Sequence, residues 1–243
     1  MNGEAAGRFT AAIKRENSLG RVAVIPDIKC TSPKEGDLMR GRDPVDVAKL
    51  LVRCGAPVLS VVTEKERFKG SPGLLRSIAD STGVPVLRKD FITDESLLKE
   101  TVETGASAVL LICATTEKKT LAKLYEKTLK LNLEPLVEVC SKEEMSFATS
   151  IGARLIGINN RNIITLERDN GGPSRTAALA SGKPRDALLI SESGILSPDD
   201  AKLAVSSGAN AVLVGTALLQ SEDIEAMYRS LRVEWKDITC VQL

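Results

Sequence analysis

The sequence predicts one α/β domain folded as a (β/α)8 TIM barrel, and three observations carry the prediction. Eight short β-branched or Leu-rich runs recur along the 243 residues, nearly every interval between them has room for a crossover helix, and no G-x-G-x-x-G accompanies them. Parallel strands covered on both faces produce such apolar runs, and α/β barrels commonly fill about 200–250 residues without dividing. An open doubly wound sheet also alternates strand and helix. Eight units without a dinucleotide fingerprint favour closure into a barrel.

A short helical segment at about 4–18 precedes the first run, Val22–Lys29. The others are Val58–Val62, Pro85–Arg88, Ala108–Ile112, Pro135–Val139, Leu155–Ile158, Ala187–Ser191 and Ala211–Val214. Helix starts are written as Asp43-Pro44 before VDVAKLLVRCG, Thr93-Asp94-Glu95 before SLLKETVETG, and Ser197-Pro198-Asp199-Asp200 before AKLAVSSG. Gly55, Gly105, Gly152 and Gly208 open the similar phrases GAPVLS, GASAVLL, GARLIG and GANAVLV, each a helix-ending glycine just before a strand. Glu167–Ser174, ERDNGGPS, reads as a loop. No linker, low-complexity block or charge run divides residues 1–243, which are expected to form one domain.

Composition removes several function classes. The chain has no histidine, so a Ser-His-Asp triad, a His-ligated zinc or an imidazole base is excluded. With 33 Lys+Arg against 32 Asp+Glu it lacks the basic excess of a nucleic-acid binder, and its scattered 3% of aromatics gives no stacking platform. The five cysteines are widely spaced and never form C-x-x-C, which points to inert thiols in a reducing compartment and to no metal site. The polar start MNGEAAGRFTAAIKREN lacks a signal-peptide core, and no run reaches transmembrane length. A cytoplasmic protein is expected, without nucleic-acid or membrane partners, as a monomer or weak homodimer.

In a barrel of this kind the active site lies at the C-terminal ends of the strands. The first run ends Asp27-Ile28-Lys29, where alternation puts the two charges on one face. Lys89, Glu138 and Glu192 each follow Leu87, Leu136 or Ile190 by two positions and share that residue's inward face; the sixth run ends in Asn159-Asn160-Arg161. Singly, such residues are ordinary solvated rim groups. Two lysines, two glutamates, an aspartate and an asparagine meeting at one mouth are instead the coupled set of a functional site. Arg88 and Asp90 face the other way and are expected to pair with the helical layer. Ser193-Gly194 and Gly215-Thr216 follow the last two runs, where barrels commonly hold phosphate, and Ser32 offers a further hydroxyl.

At these residues the sequence resembles the indole-3-glycerol phosphate synthase family. The similar segments are IPDIKCTSPKEGDL, VLSVVTEKERFKGSPGLL, VPVLRKDFITDE, GASAVLLICA, LVEV, IGINNRN, ISESGI and AVLVGTALLQSED, in the right order over roughly residues 22–223. LRKDFI and GINNRN are the most specific.

The resemblance implies ring closure, decarboxylation and dehydration of 1-(2-carboxyphenylamino)-1-deoxyribulose 5-phosphate, without metal or organic cofactor. By matching motif, Lys89 and Lys29 would be the catalytic lysines, and Glu138 and Asp27 the catalytic carboxylates. Asn159 and Glu192 would orient substrate hydroxyls, Phe91 would line the anthranilate side, and Arg161 with Lys29 would meet the substrate carboxylate. Ser32, Ser193, Gly194, Gly215 and Thr216 would hold the phosphate. The family motif usually has Glu where this chain has Asp27, a carboxylate withdrawn by roughly 1 Å, and the N-terminus reads as shorter than the family's mouth-covering extension. The alternative is a diverged paralogue that acts on, or only binds, a related phosphorylated sugar derivative.

Overall fold

The computed structural model describes residues 7–161 and 171–236. In it the eight predicted runs are eight parallel strands: β1 (Ala23–Ile28), β4 (Leu59–Val62), β5 (Val86–Lys89), β6 (Ala108–Ile112), β7 (Glu134–Val139), β8 (Leu155–Asn159), β9 (Leu188–Glu192) and β10 (Ala211–Val214). They close in the order β1-β10-β9-β8-β7-β6-β5-β4, with β1 paired to β10 through Ala23 and Ala211 and to β4 through Asp27 and Ser60. The barrel expectation is met, with strand ends shifted by at most one residue. The sequence reading did not foresee the small antiparallel hairpin of β2 (Thr31–Ser32) and β3 (Gly36–Asp37), which leaves the C-terminal end of β1.

The main covering helices begin where side-chain caps satisfy their first N–H groups. Asp43 accepts from Val45 N and Asp46 N at the start of α2 (Pro44–Arg53), and Asp94 caps α4 (Glu95–Glu103) in the same way. Ser197 and Asp200 form a reciprocal capping box at α8 (Pro198–Ser206). The glycines at 55, 105, 152 and 208 all take positive φ one residue past a helix cap, which lets the chain turn into the next strand. The remaining helices are α3 (Pro72–Thr82), α5 (Lys118–Lys130), α6 (Lys142–Ser150), α7 (Ser174–Leu179), α9 (Thr216–Gln220) and α10 (Ile224–Ser230). Of the predicted loop 167–174, the part 167–170 lies outside the described residues, and Ser174 already opens α7.

The core has two shells. Outward residues such as Val24, Val61, Val137 and Ile156 pack under the helices, while Ile25, Leu87, Leu110, Leu136, Ile190 and Leu213 fill the barrel. Helix α1 (Arg8–Ser18) plugs the N-terminal end with Phe9 and Ile13, both fully buried in the interior cluster. Its own first N–H groups have no local side-chain cap; Glu134 at the start of β7 supplies one across the barrel, accepting from Phe9 N at 2.6 Å and Thr10 N at 2.9 Å. The helix therefore sits at the end opposite the strand termini that carry the polar residues. The predicted helical segment began at about 4; residues 4–6 lie outside the described residues. No described helix is long and apolar enough to cross a membrane.

Candidate active site

Because Ile25, Leu87, Leu136, Leu155 and Ile190 face inward, strand alternation aims Asp27, Lys89, Glu138, Asn159 and Glu192 into the same end of the barrel. Lys29 follows on the face of Asp27. Two cavities open there, of about 400 Å³ and 330 Å³, and Asp27, Lys29 and Lys89 line both. They form a three-residue divide between two lobes.

The first lobe is mostly apolar. Val62, Phe68, Phe91, Leu110 and Ile112 wall it, with Glu138, Glu64 and Asp90 as its polar groups. The guanidinium of Arg67 lies 5.6 Å from the Phe91 ring centroid, a cation–π contact at the rim. The second lobe is bounded by Arg161, Ser193, Gly194, Gly215 and Thr216. Ser193 and Gly194 both take left-handed φ, 64° and 67°, so the turn after β9 presents successive backbone amides, an arrangement suited to an anion. Gly215 is close-packed: a Cβ there would lie 3.2 Å from Lys29 Cε and 3.1 Å from the Asp27 carbonyl oxygen.

Asn159 and Glu192 are paired across β8 and β9 and lie below the lobes, 1% and 0% exposed. Asn159 Oδ1 accepts from Arg161 N at 3.0 Å, while its buried Nδ2 finds no hydrogen-bond partner among the described residues. The structure does not bring Ser32 to either lobe. Its hydroxyl accepts from Lys34 N and Glu35 N within the β2–β3 hairpin.

Several site residues escaped the sequence reading. Ser60 donates to Asp27 Oδ1 at 2.6 Å, and the alternation Val58, Ser60, Val62 in the second run already marked it as inward. Phe68 and Glu64 come from the loop after β4, where no periodicity operates. Asn160 is an outer fastener: its Nδ2 lies within 3.0 Å of Ser191 Oγ and the Glu192 and Ser193 carbonyls, and its Oδ1 accepts from Thr176 N and Oγ1. That network fixes the strained turn at Ser193.

Cys113 and Cys140 follow β6 and β7, close to Glu138. Burial, reinforced by Glu144 and Glu138, pushes the Cys113 thiol up to about 12; burial and a hydrogen bond with Glu144 push Cys140 up to about 11. Both are neutral near pH 7 and add no charge beside the glutamate. Among the described residues no group of three or more His, Cys, Asp or Glu is placed to hold a metal ion.

The sequence model of one protein family, Indole-3-glycerol phosphate synthase, matches residues 3–231. Relatives bearing that name include the protein of Pyrococcus abyssi, 41% identical over 85% of this chain and 90% of its own length. That of Listeria monocytogenes is 43% identical over 86% and 82%, and that of Streptococcus sanguinis 38% identical over 90% and 84%. Among solved structures, the thiamine phosphate pyrophosphorylase of Pyrococcus furiosus superposes with a TM-score of 0.63 over 91% of this chain and 98% of its own, at 13% identity, a likeness of fold alone. Matched over nearly its whole length by the family model and by relatives at about this identity, the chain belongs to the indole-3-glycerol phosphate synthase family.

Proposed function

We propose that the chain closes the indole ring of 1-(2-carboxyphenylamino)-1-deoxyribulose 5-phosphate, releasing carbon dioxide and water to give indole-3-glycerol phosphate. The observation that carries this reading is the pair of lobes joined across Asp27, Lys29 and Lys89: one lobe suits an aromatic ring, the other a phosphate, and the acid–base groups stand between them.

In this reading the carboxyphenyl ring lies against Phe68 and Phe91, and the phosphate meets the amides of Ser193, Gly194 and Gly215 with the Thr216 hydroxyl. Ser32 would join only from the hairpin. Lys89 donates a proton to the substrate carbonyl as the ring carbon attacks it, while Lys29 and Arg161 hold the substrate carboxylate until it leaves. Loss of carbon dioxide restores aromaticity, so no metal or organic cofactor is required by the chemistry. Dehydration then needs an acid for the departing hydroxyl and a base for a proton, roles for a lysine and for Glu138 or Asp27. Asn159 and Glu192 orient the substrate hydroxyls from below.

We place this activity in the cytoplasm; the four described cysteines are all free, as in a reducing compartment. A monomer or weak homodimer belongs to this reading; the large exposed apolar side chains among the described residues are Leu19, Val102, Leu129, Leu196 and Leu203. The direct test follows indole fluorescence when enzyme meets the carboxyphenylamino substrate. Product formation is expected; tight substrate binding with no product at high enzyme concentration overturns the reading in favour of a binder or paralogue.

A further inference from the structure

Arg88 is a buried cation outside both lobes, 1% exposed, and every one of its donors is used. Nε donates to Thr63 Oγ1 at 3.0 Å; Nη1 donates to Thr101 Oγ1 at 3.1 Å and the Leu97 carbonyl at 3.2 Å; Nη2 donates to Glu100 Oε2 at 2.7 Å and Asp90 Oδ2 at 3.1 Å. Arg88 on the outer face of β5 thus pairs with Asp90, which lies just past the strand end and also borders the first lobe, and the two straddle Lys89.

Thr63, just past β4, completes the clasp. Its hydroxyl donates to Asp90 Oδ2 at 2.5 Å while accepting from Arg88, and its backbone N donates to the Lys89 carbonyl at 3.0 Å. Asp90 also accepts from Phe91 N at 2.8 Å. The two peptide units that follow Lys89 are therefore tied, through the Lys89 carbonyl and Phe91 N, to a charged network anchored on α4. An anchor of the helical layer alone needs none of the bonds that return to Thr63 and Phe91.

We infer that Thr63, Arg88 and Asp90 are positioning residues for Lys89, fixing the strand end from behind so that its ammonium is held at the divide between the lobes. This inference rests on the reading of Lys89 as the acid. A long, flexible lysine stem gains aim from a rigid base, and misplacement of a catalytic group by about 1 Å can cost on the order of 100-fold in rate.

The test uses Thr63→Val, which removes the bridging hydroxyl at nearly constant volume, and Thr63→Ser, which restores it. Expected for Thr63→Val is a kcat lowered at least ~10-fold per folded molecule with KM changed less than ~2-fold, the pattern of an interaction made in the transition state. Thr63→Ser should recover most of that loss. Folded fraction is read by circular dichroism; should Thr63→Val not fold, Asp90→Asn, equal in volume, carries the same comparison. Wild-type kcat in the variant, a loss confined to KM, or failure of serine to restore kcat overturns the positioning role. The wild-type and Lys89→Met controls separate this from the parent reading: absent wild-type turnover, or an active Lys89→Met, refutes the parent reading instead.

Discussion

A methyl group added at Gly157 would overlap the carboxylate of Glu192, so the missing side chain on β8 is the space in which the carboxylate of β9 lies. Gly157 also pairs with Glu138 on the other neighbouring strand. The glycine therefore sets the height of a fully buried carboxylate beneath the lobes, and it does so by volume, since its φ is not left-handed. Gly157→Ala is expected to cost about 1–3 kcal/mol through overpacking. If Glu192 orients substrate, kcat/KM should fall on the order of 100-fold with it. Thermal unfolding and kcat/KM measured on the same preparation check both; an alanine variant with wild-type kcat/KM removes Glu192 from the orienting role.

Lys89→Met tests the divide itself. Methionine keeps the length and apolar stem, so the barrel should stay folded with a melting temperature within a few degrees of wild type. Turnover should disappear, because no histidine exists in the chain to take over the proton transfer. Substantial remaining indole fluorescence would refute the assignment of Lys89 as the acid.

How far the sequence reaches is shown by Arg88 and Ser32. Period-two alternation sent Arg88 to the helical side and Lys89 inward, and the buried network at Arg88 and the lining of both lobes agree; Asp90, also expected on the helical side, pairs with Arg88 past the end of β5 but borders the first lobe. The same rule aimed Asp27, Glu138 and Glu192 correctly, because a strand fixes side-chain direction by its pleat alone. Ser32 lies three residues past Lys29, where the chain has left the sheet; its direction depends on the β2–β3 hairpin, a tertiary feature without a periodic signature. Phe68 and Glu64 escaped for the same reason, and Asn160 because its bonds cross from β8 to the turn after β9.

Asp27 is held by a serine that the sequence did not couple to it. With Ser60 Oγ 2.6 Å from Oδ1 and Gly215 close behind, the carboxylate has one fixed position at the edge of both lobes. Asp27→Asn removes the charge at constant shape and should lower kcat at least ~100-fold, the scale of a lost acid–base group. Asp27→Glu keeps the charge while moving the carboxylate by one methylene, and should keep kcat within ~10-fold. Steady-state rates of the two variants decide; equal losses in both would show that the Ser60-held position, and not the charge, is what matters.

The thiols beside Glu138 predict how the fold responds to alkali. Burial raises Cys113 from 9.0 to about 12 and Cys140 from 9.0 to about 11, and burial raises Tyr228 as well. Below pH 9 folded and unfolded chains both keep these protons, so the stabilisation is fully present. Above it the unfolded chain releases them while the folded chain holds on, and stability falls by up to ~1.4 kcal/mol per pH unit for a group as buried as Cys113, and by less for the partly exposed, solvent-screened Cys140. Urea unfolding free energy should therefore drop between about pH 9 and 11 by linkage, and Cys113→Ala should make that drop shallower by nearly one proton. Tyr228 and Cys140 remain in the variant, so a residual slope is expected. A slope identical to wild type would mean that Cys113 titrates alike in the folded and unfolded chains, and that burial at the end of β6 does not protect it.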